Sequence, residues 1–299
     1  MRILITGANG FLGRHLAQRL GEQRHEVRRL ERRPDPRDPR AFAWDPAQGV
    51  LDGAALEGLD AVIHLAGAPI AGARWDDAFK QTLRDSRVGP SRLLMQRLAA
   101  LERPPKVLLA ASAIGYYGDR GDEVLDESSA PGADFLASLC RDWEAETDGA
   151  AVPGLRRVHL RVGLVLGPNG GLLQRLRLPF RLGLGARLGS GRQWMSWIAL
   201  EDLLRALQFL LERPELSGAF NLTSPNPVTN AQFTQSLGRA LNRPAFFRVP
   251  AFVIKAGLGE MGEALLLGGQ RVLPARLERA GFEWRNPWIG EAFNRLYSR

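Results

Sequence analysis

The 299-residue chain is poor in several residue types at once: one cysteine (Cys140), four histidines, three tyrosines and three lysines. One thiol cannot close an intramolecular disulfide, and the histidines are too scattered to form a metal-ligand spacing, so disulfide and zinc chemistry are set aside and no metal is expected. No apolar run approaches the ~20 residues needed to cross a bilayer. The N-terminus enters a strand-like run at once, without a charged leader and cleavage site. These absences give the expectation of a cytoplasmic protein with no membrane partner. Internal repeats and low-complexity linkers are also missing. With 45% hydrophobic and 24% charged residues, the composition excludes a disordered or fibrous chain. The net charge of +8 comes from 37 arginines against 32 acidic residues and few lysines. There is no basic tail, so the charge reads as diffuse and no specific nucleic-acid partner is expected.

The residues present have an alternating rhythm. Arg2 to Thr6 (RILIT) is a short β-branched run, followed by Gly7-Ala8-Asn9-Gly10-Phe11-Leu12-Gly13 and then a helical pattern. Strand-like runs recur at His25 to Leu30, Ala61 to Leu65, Val107 to Ala111 and Val158 to Val162. Helical periodicity separates them, clearest in Ala78 to Leu101 and Asp134 to Thr147. Strands spaced by helix-length segments predict βαβ crossovers and an α/β fold, a Rossmann-like doubly wound parallel sheet. Beyond residue 168 the rhythm loosens into a Gly/Leu/Arg-rich stretch, a helix at Glu201 to Glu212, a short strand at Ala219 to Leu222 and mostly helical patterns to the end. The organisation expected is a dinucleotide-binding domain over 1–167, to which 195–230 return. A smaller, mostly helical lobe on the substrate side is built from 168–194 and 231–299.

Glycines at the spacing GxxGxxG after a first strand have a physical use. The first allows a tight turn, the second lets backbone N–H groups approach a pyrophosphate, and the third lets the helix pack closely on the strand. Phosphates then sit at the positive helix end. At the end of the second strand an acidic residue would hold a ribose 2′-OH, whereas a 2′-phosphate needs guanidinium groups. Arg32 and Arg33 stand there beside Glu31. Two cations against one carboxylate favour NADP (NADPH) over NAD, with a merely solvated charged edge as the alternative.

The combination of Thr6 to Gly13, His64-Leu65-Ala66-Gly67 and Ala111-Ser112-Ala113-Ile114-Gly115-Tyr116-Tyr117-Gly118 resembles the extended short-chain dehydrogenases/reductases. More narrowly, the chain is similar to the atypical "epimerase family" oxidoreductases. That likeness rests on Arg74-Trp75 through Ser86-Arg87, Asp134-Phe135-Leu136 with Trp143-Glu144, Arg161 to Gly167, and a characteristic C-terminal block (Leu258 to Met261, Gln270 to Pro274, Ala280 to Phe282). The resemblance implies a cofactor cradle of Gly7, Gly10, Phe11, Leu12, Gly13, Arg32 and Arg33. Leu65, Ala66 and Gly67 would pass beside the dinucleotide, Thr82 and Arg87 would lie close to it, and Val165 would lie near the nicotinamide end.

Members of the wider superfamily use a Ser near the end of a central strand, and a Tyr with a Lys four residues later on a helix. The lysine lowers the tyrosine pKa for proton exchange at the reacting carbon's oxygen. In this sequence Ser112 matches the serine, but aligning the helix on Trp143-Glu144 puts Leu136 and Cys140 at the Tyr and Lys positions. Tyr116 and Tyr117 are the substitute proton carriers, with rings walling a cleft as the plainer reading. Cys140 reads as a buried apolar residue rather than a nucleophile, and His64 as a satisfied structural imidazole. Arg192, Trp194 and Trp197 fit either a substrate pocket or the seam between lobes. Two functions remain: an NADP-dependent oxidoreductase or epimerase-like enzyme acting on an unknown small polar substrate, or a catalytically silent NADP(H)-binding sensor or scaffold. A homodimer is left open.

Overall fold

The computed structural model describes residues 1–168 and 170–297. Its centre is an eight-stranded sheet made of β1 (Arg2–Thr6), β2 (Glu26–Glu31), β3 (Ala41–Asp45), β4 (Val50–Leu51), β5 (Ala61–His64), β6 (Val107–Ala113), β7 (Arg156–Val162) and β8 (Gly218–Leu222). The strand order is β8-β7-β6-β5-β1-β2-β3-β4, and every pairing is parallel except β3 with β4. Strand β3 and its antiparallel neighbour carry weak sequence patterns and extend the sheet beyond the run of strands expected.

Parallel strands are buried on both faces, and alternation along β1 divides its side chains between two cores. Ile3 and Ile5 join Leu16 and Leu20 of helix α1 (Phe11–Glu22), whereas Leu4 turns to the opposite face. There it meets Leu94 and Leu98 of α3 (Val88–Ala99), which follows α2 (Asp77–Asp85). Helix α4 (Phe135–Asp148) packs beside α3 and against β6 and β7. Each fully buried Leu or Ile contributes roughly 1.5–3 kcal/mol relative to exposure. The single periodic run at Ala78 to Leu101 is therefore two helices. The chain leaves helical geometry at Arg87 (φ −120°, ψ −55°), and Pro90, which has no N–H to donate, sits in the first turn of α3 where none is needed.

After β7 the chain forms the short strand Leu164–Leu166 and then α5 (Gly171–Arg181). Helix α6 (Leu200–Glu212) returns to the sheet, packing beside α1, and β8 closes the sheet edge. Helix α7 (Asn230–Ala240) begins at a capping box formed by Thr229 and Gln232, ahead of its buried Phe233. It packs with Phe180, Trp197 and Phe293 in a third core. Helices α8 (Ala251–Gly262), α9 (Ala275–Arg279) and α10 (Ile289–Tyr297) complete the chain. None of the described helices is long and apolar enough to cross a membrane.

Candidate functional site

The turn between β1 and α1 is shaped by backbone rather than side chains. Gly7 has φ +70°, and a Cβ there would stand 2.9 Å from the Leu65 backbone. A Cβ on Gly13 would overlap the carbonyl oxygen of Gly7, so α1 sits as close to the turn as chain can sit to chain. Gly10 donates its N–H to the Gly7 carbonyl at 3.0 Å. Helix α1 starts at Phe11 with no side-chain cap and no acidic residue in its first turn, which leaves its leading N–H groups and the positive end of its dipole facing outward. Leu12 packs against the core beneath. The Phe11 ring lies on Gly167 and Gly170, which pins the helix start to the turn after Leu164–Leu166. Val165 of that strand is half-buried and pairs with Ile198.

The adjoining strand end is held by a polar relay in the sheet. Thr6 Oγ1 accepts from the N–H groups of Leu65 (3.1 Å) and Ala66 (3.2 Å) and bonds His64 Nδ1 at 2.7 Å. His64 Nε2 lies 3.0 Å from Ser91 Oγ, whose hydroxyl donates to the Arg87 carbonyl at 2.7 Å. The chain of donors closes with Thr6 donating to Nδ1 and Nε2–H donating to Ser91. Burial drives the His64 pKa down to about 4, so the ring is neutral and acts as a structural link.

Two groups of cations flank this backbone. Arg32 and Arg33, at the end of β2, are exposed and have no hydrogen bond or ion pair among the described residues. Glu31, the carboxylate that could repel a phosphate here, is taken up by Arg29 Nε at 2.9 Å. Arg87 lies at the other flank with its guanidinium 3.3 Å from where a Gly67 Cβ would stand. Its donors reach the carbonyls of Leu83 (3.1 Å) and Ala68 (2.9 Å) and the Ser86 hydroxyl (3.1 Å), and its guanidinium lies 5.1 Å from the Trp143 ring centroid. No carboxylate pairs with it among the described residues, and burial lowers its pKa. A mostly buried cation without a counter-ion is a place for an anionic ligand. Thr82 is exposed on α2 and its hydroxyl donates back to the Ala78 carbonyl.

The end of β6 is arranged differently. A Cβ on Gly115 would lie 3.3 Å from Leu136 Cβ and 4.0 Å from Cys140 Sγ, so both of these α4 residues face the turn after β6. Burial pushes the Cys140 thiol up to about 12, which leaves it protonated and inert. Ser112 is buried and donates to Glu144 Oε1 at 2.6 Å. Arg161 grips both oxygens of the same carboxylate at 2.9 Å and also donates to Tyr117 OH at 3.0 Å. Tyr117 in turn donates to Asn221 Oδ1 at 2.7 Å. Burial pushes the Tyr117 phenol up to about 12, although Arg161 pulls the other way. Tyr116 stacks its ring on the Arg161 guanidinium, 3.5 Å from the centroid, and its hydroxyl has no partner among the described residues.

Glu144, Asn221 and the bridging role of Arg161 lie outside the residues singled out as chemical candidates. Their one signal in the sequence was polar side chains at positions where a buried helix face and central strands should be apolar. The tryptophans separate as well. Trp197 is fully buried in the third core, while Trp194 donates its indole N–H to Asp122 at 2.7 Å. Arg192 is exposed.

Residues 3–223 match the model of the NAD dependent epimerase/dehydratase family, and residues 249–296 match a domain of unknown function, DUF1731. The epimerase family protein Mb2239 of Mycobacterium bovis is 48% identical over 297 residues, covering 99% of this chain and 98% of that protein. The human epimerase family protein SDR39U1 is 36% identical over 302 residues, with 99% of each covered. A crystal structure of human SDR39U1 (isoform 2) with NADPH superposes with a TM-score of 0.91 at 34% identity over the whole of both chains. A nucleoside-diphosphate sugar epimerase from Corynebacterium glutamicum matches at TM-score 0.82 and 34% identity, over 99% of this chain and 58% of that one.

Proposed function

Because the chain belongs to the NAD-dependent epimerase/dehydratase family, we propose that it is an NADP(H)-dependent, epimerase-like oxidoreductase acting on a small polar molecule. The observation that carries the NADP assignment is the contrast at the end of β2. Arg32 and Arg33 are exposed and unpaired among the described residues, while Glu31 is held by Arg29, which it shares with Asp38. Two unengaged guanidinium groups suit a 2′-phosphate, and a tied carboxylate is unsuited to a ribose 2′-OH. The human relative, crystallised with NADPH, supports the same choice.

When bound, the dinucleotide supplies or accepts hydride. The residues of the chain bind and orient it. Gly7, Gly10 and Gly13 admit the pyrophosphate to the start of α1, Leu65 to Gly67 form the backbone wall, and Arg87 offers its unpaired charge alongside them. Of the three proposed hydroxyl groups, Ser112 and Tyr117 are committed to buried partners. Tyr116 is the one left with a free hydroxyl beside a fixed cation, and it is assigned the proton exchange.

The test is calorimetry with NADPH and NADH. The wild-type protein binds NADPH more tightly, and Arg32→Ala/Arg33→Ala weakens NADPH by roughly 10- to 100-fold, at a typical 1.5–3 kcal/mol for charged hydrogen bonds, while leaving NADH almost unchanged. Equal losses for both cofactors sink the 2′-phosphate assignment. A second reading, a silent NADP(H) sensor or scaffold, is favoured by the aliphatic and protonated-thiol side chains of Leu136 and Cys140 at the usual acid–base positions. NADPH consumption against nucleotide sugars, quinones and aldehydes, abolished in Tyr116→Phe, decides for the enzyme.

A further inference from the structure

The positive charge of this protein is not diffuse. Residues 171–200 and 217–259 contain no aspartate or glutamate and carry nine basic residues, which leaves 31 basic against 32 acidic residues in the rest of the chain. The entire excess therefore sits in two segments late in the chain, and the fold lays parts of them side by side. The strand Ala186–Leu188 pairs with Phe247–Val249, Arg243 Nε donates to the Arg181 carbonyl at 2.9 Å, and Arg248 Nε donates to the Gly189 carbonyl at 2.7 Å.

The same face is where large apolar side chains stand out. Leu178, Leu182, Leu184, Phe246 and Phe252 are between 56% and 73% exposed. Arg239 and Phe246 line one surface cavity. Arg181, Arg239, Arg243 and Arg248 make no ion pair among the described residues. Lys255 of the second segment pairs with Glu263 just beyond it.

We propose that this face docks peripherally on an anionic phospholipid surface. The leucine and phenylalanine side chains would enter the headgroup boundary and the arginines would meet lipid phosphates. Charge complementarity selects this occupant. A protein partner's footprint normally carries a mixed polar rim, and this one has no carboxylate in either segment. A nucleic acid would be met by a mostly polar surface, and this one carries projecting leucines and phenylalanines. With no described helix able to cross a bilayer, the contact is with the membrane surface.

The experiment is sedimentation of the full chain with phosphatidylcholine vesicles and with vesicles containing phosphatidylglycerol, at low and high salt. Binding is expected only with phosphatidylglycerol, weakening as salt rises. Both Phe246→Ser/Phe252→Ser and Arg181→Glu/Arg239→Glu should lose roughly tenfold or more in affinity, with melting temperature and NADPH affinity retained as the check on folding. The proposal is overturned if phosphatidylglycerol vesicles do not bind, if neither double variant weakens binding, or if heparin binds and vesicles do not. It is equally overturned if the Phe246→Ser/Phe252→Ser change instead abolishes a concentration-dependent dimer that ignores vesicles. Its failure leaves the NADPH measurements untouched, so the cofactor reading stands or falls separately.

Discussion

The two ends of the site solve opposite problems. At the cradle end, between β1 and α1, close approach depends on side chains being absent, and the cations around it (Arg32, Arg33 and Arg87) are left without carboxylate partners among the described residues. At the end beside Gly115 the polar groups turn inward: Ser112, Glu144, Arg161, Tyr117 and Asn221 satisfy one another. Leu136 and Cys140 face Gly115 in the turn after β6. One end leaves its cations unpaired among the described residues, and the other pairs its charges internally, so variants at the two ends test the proposed cofactor binding and proton exchange separately.

The sharpest way to break that contrast is to open the closed network. The side chains of Arg161 and Glu144 are only 6% and 10% exposed. Arg161→Met strands a buried carboxylate and should destabilise the protein by roughly 3–5 kcal/mol in urea unfolding. Adding Glu144→Leu removes the stranded charge and should restore most of that loss, with NADPH affinity little changed in the double variant. A single-variant loss under about 1 kcal/mol would show that water reaches the pair.

The pH dependence of stability reads the cradle end. Burial holds the His64 pKa at about 4 in the folded protein, against about 6.5 for a free side chain. Between these values the unfolded chain takes up a proton that the folded one refuses. Stability is therefore complete above about pH 6.5, declines as pH falls, and levels off below about 4, a loss of about 3 kcal/mol. Urea midpoints measured across this window should flatten in His64→Gln. An unchanged slope would mean that the ring accepts its proton in place.

Gly13→Ala sharpens the same end. Its Cβ meets the Gly7 carbonyl and the Ala8 Cα, backbone atoms with nowhere to move. Overpacking of this kind costs about 1–3 kcal/mol in stability, and the larger effect is on binding, since the turn must widen to admit the methyl group. Calorimetric heat with NADPH should vanish while the variant remains folded at room temperature.

Much of the cradle was legible because it depends on local chemistry: glycines at fixed spacing after a β-branched run, and arginines at a strand end. The parallel sheet was legible for the same reason, as runs such as RILIT and AVIH are too apolar for anything but a two-sided core. The network was not, because its members lie as far apart as Ser112 and Asn221 and meet only through packing. Glu144 in isolation looks like any helix carboxylate. The tie between Glu31 and Arg29 was equally hidden, since whether a strand-end carboxylate points at a ligand or at the arginine two residues earlier is decided by side-chain direction. The break at Arg87 was obscured by continuous helical periodicity on either side of it.

The smallest expected effect tests whether Cys140 belongs to the chemistry or only to the packing. Its thiol is fully buried, raised to about 12 by burial and then by the Glu144 charge, and set beside the Ser112 hydroxyl. A thiol in that state offers neither a thiolate for attack nor an ammonium-like charge for a neighbouring phenol. Cys140→Ser replaces it with a hydroxyl of similar size that can bond Ser112, so stability should fall by about 1 kcal/mol or less. NADPH affinity and any turnover should hold within twofold, about 0.4 kcal/mol. Abolished turnover at unchanged NADPH affinity would move the reacting group from Tyr116 to this sulfur, and with it the boundary between the open and closed ends of the site.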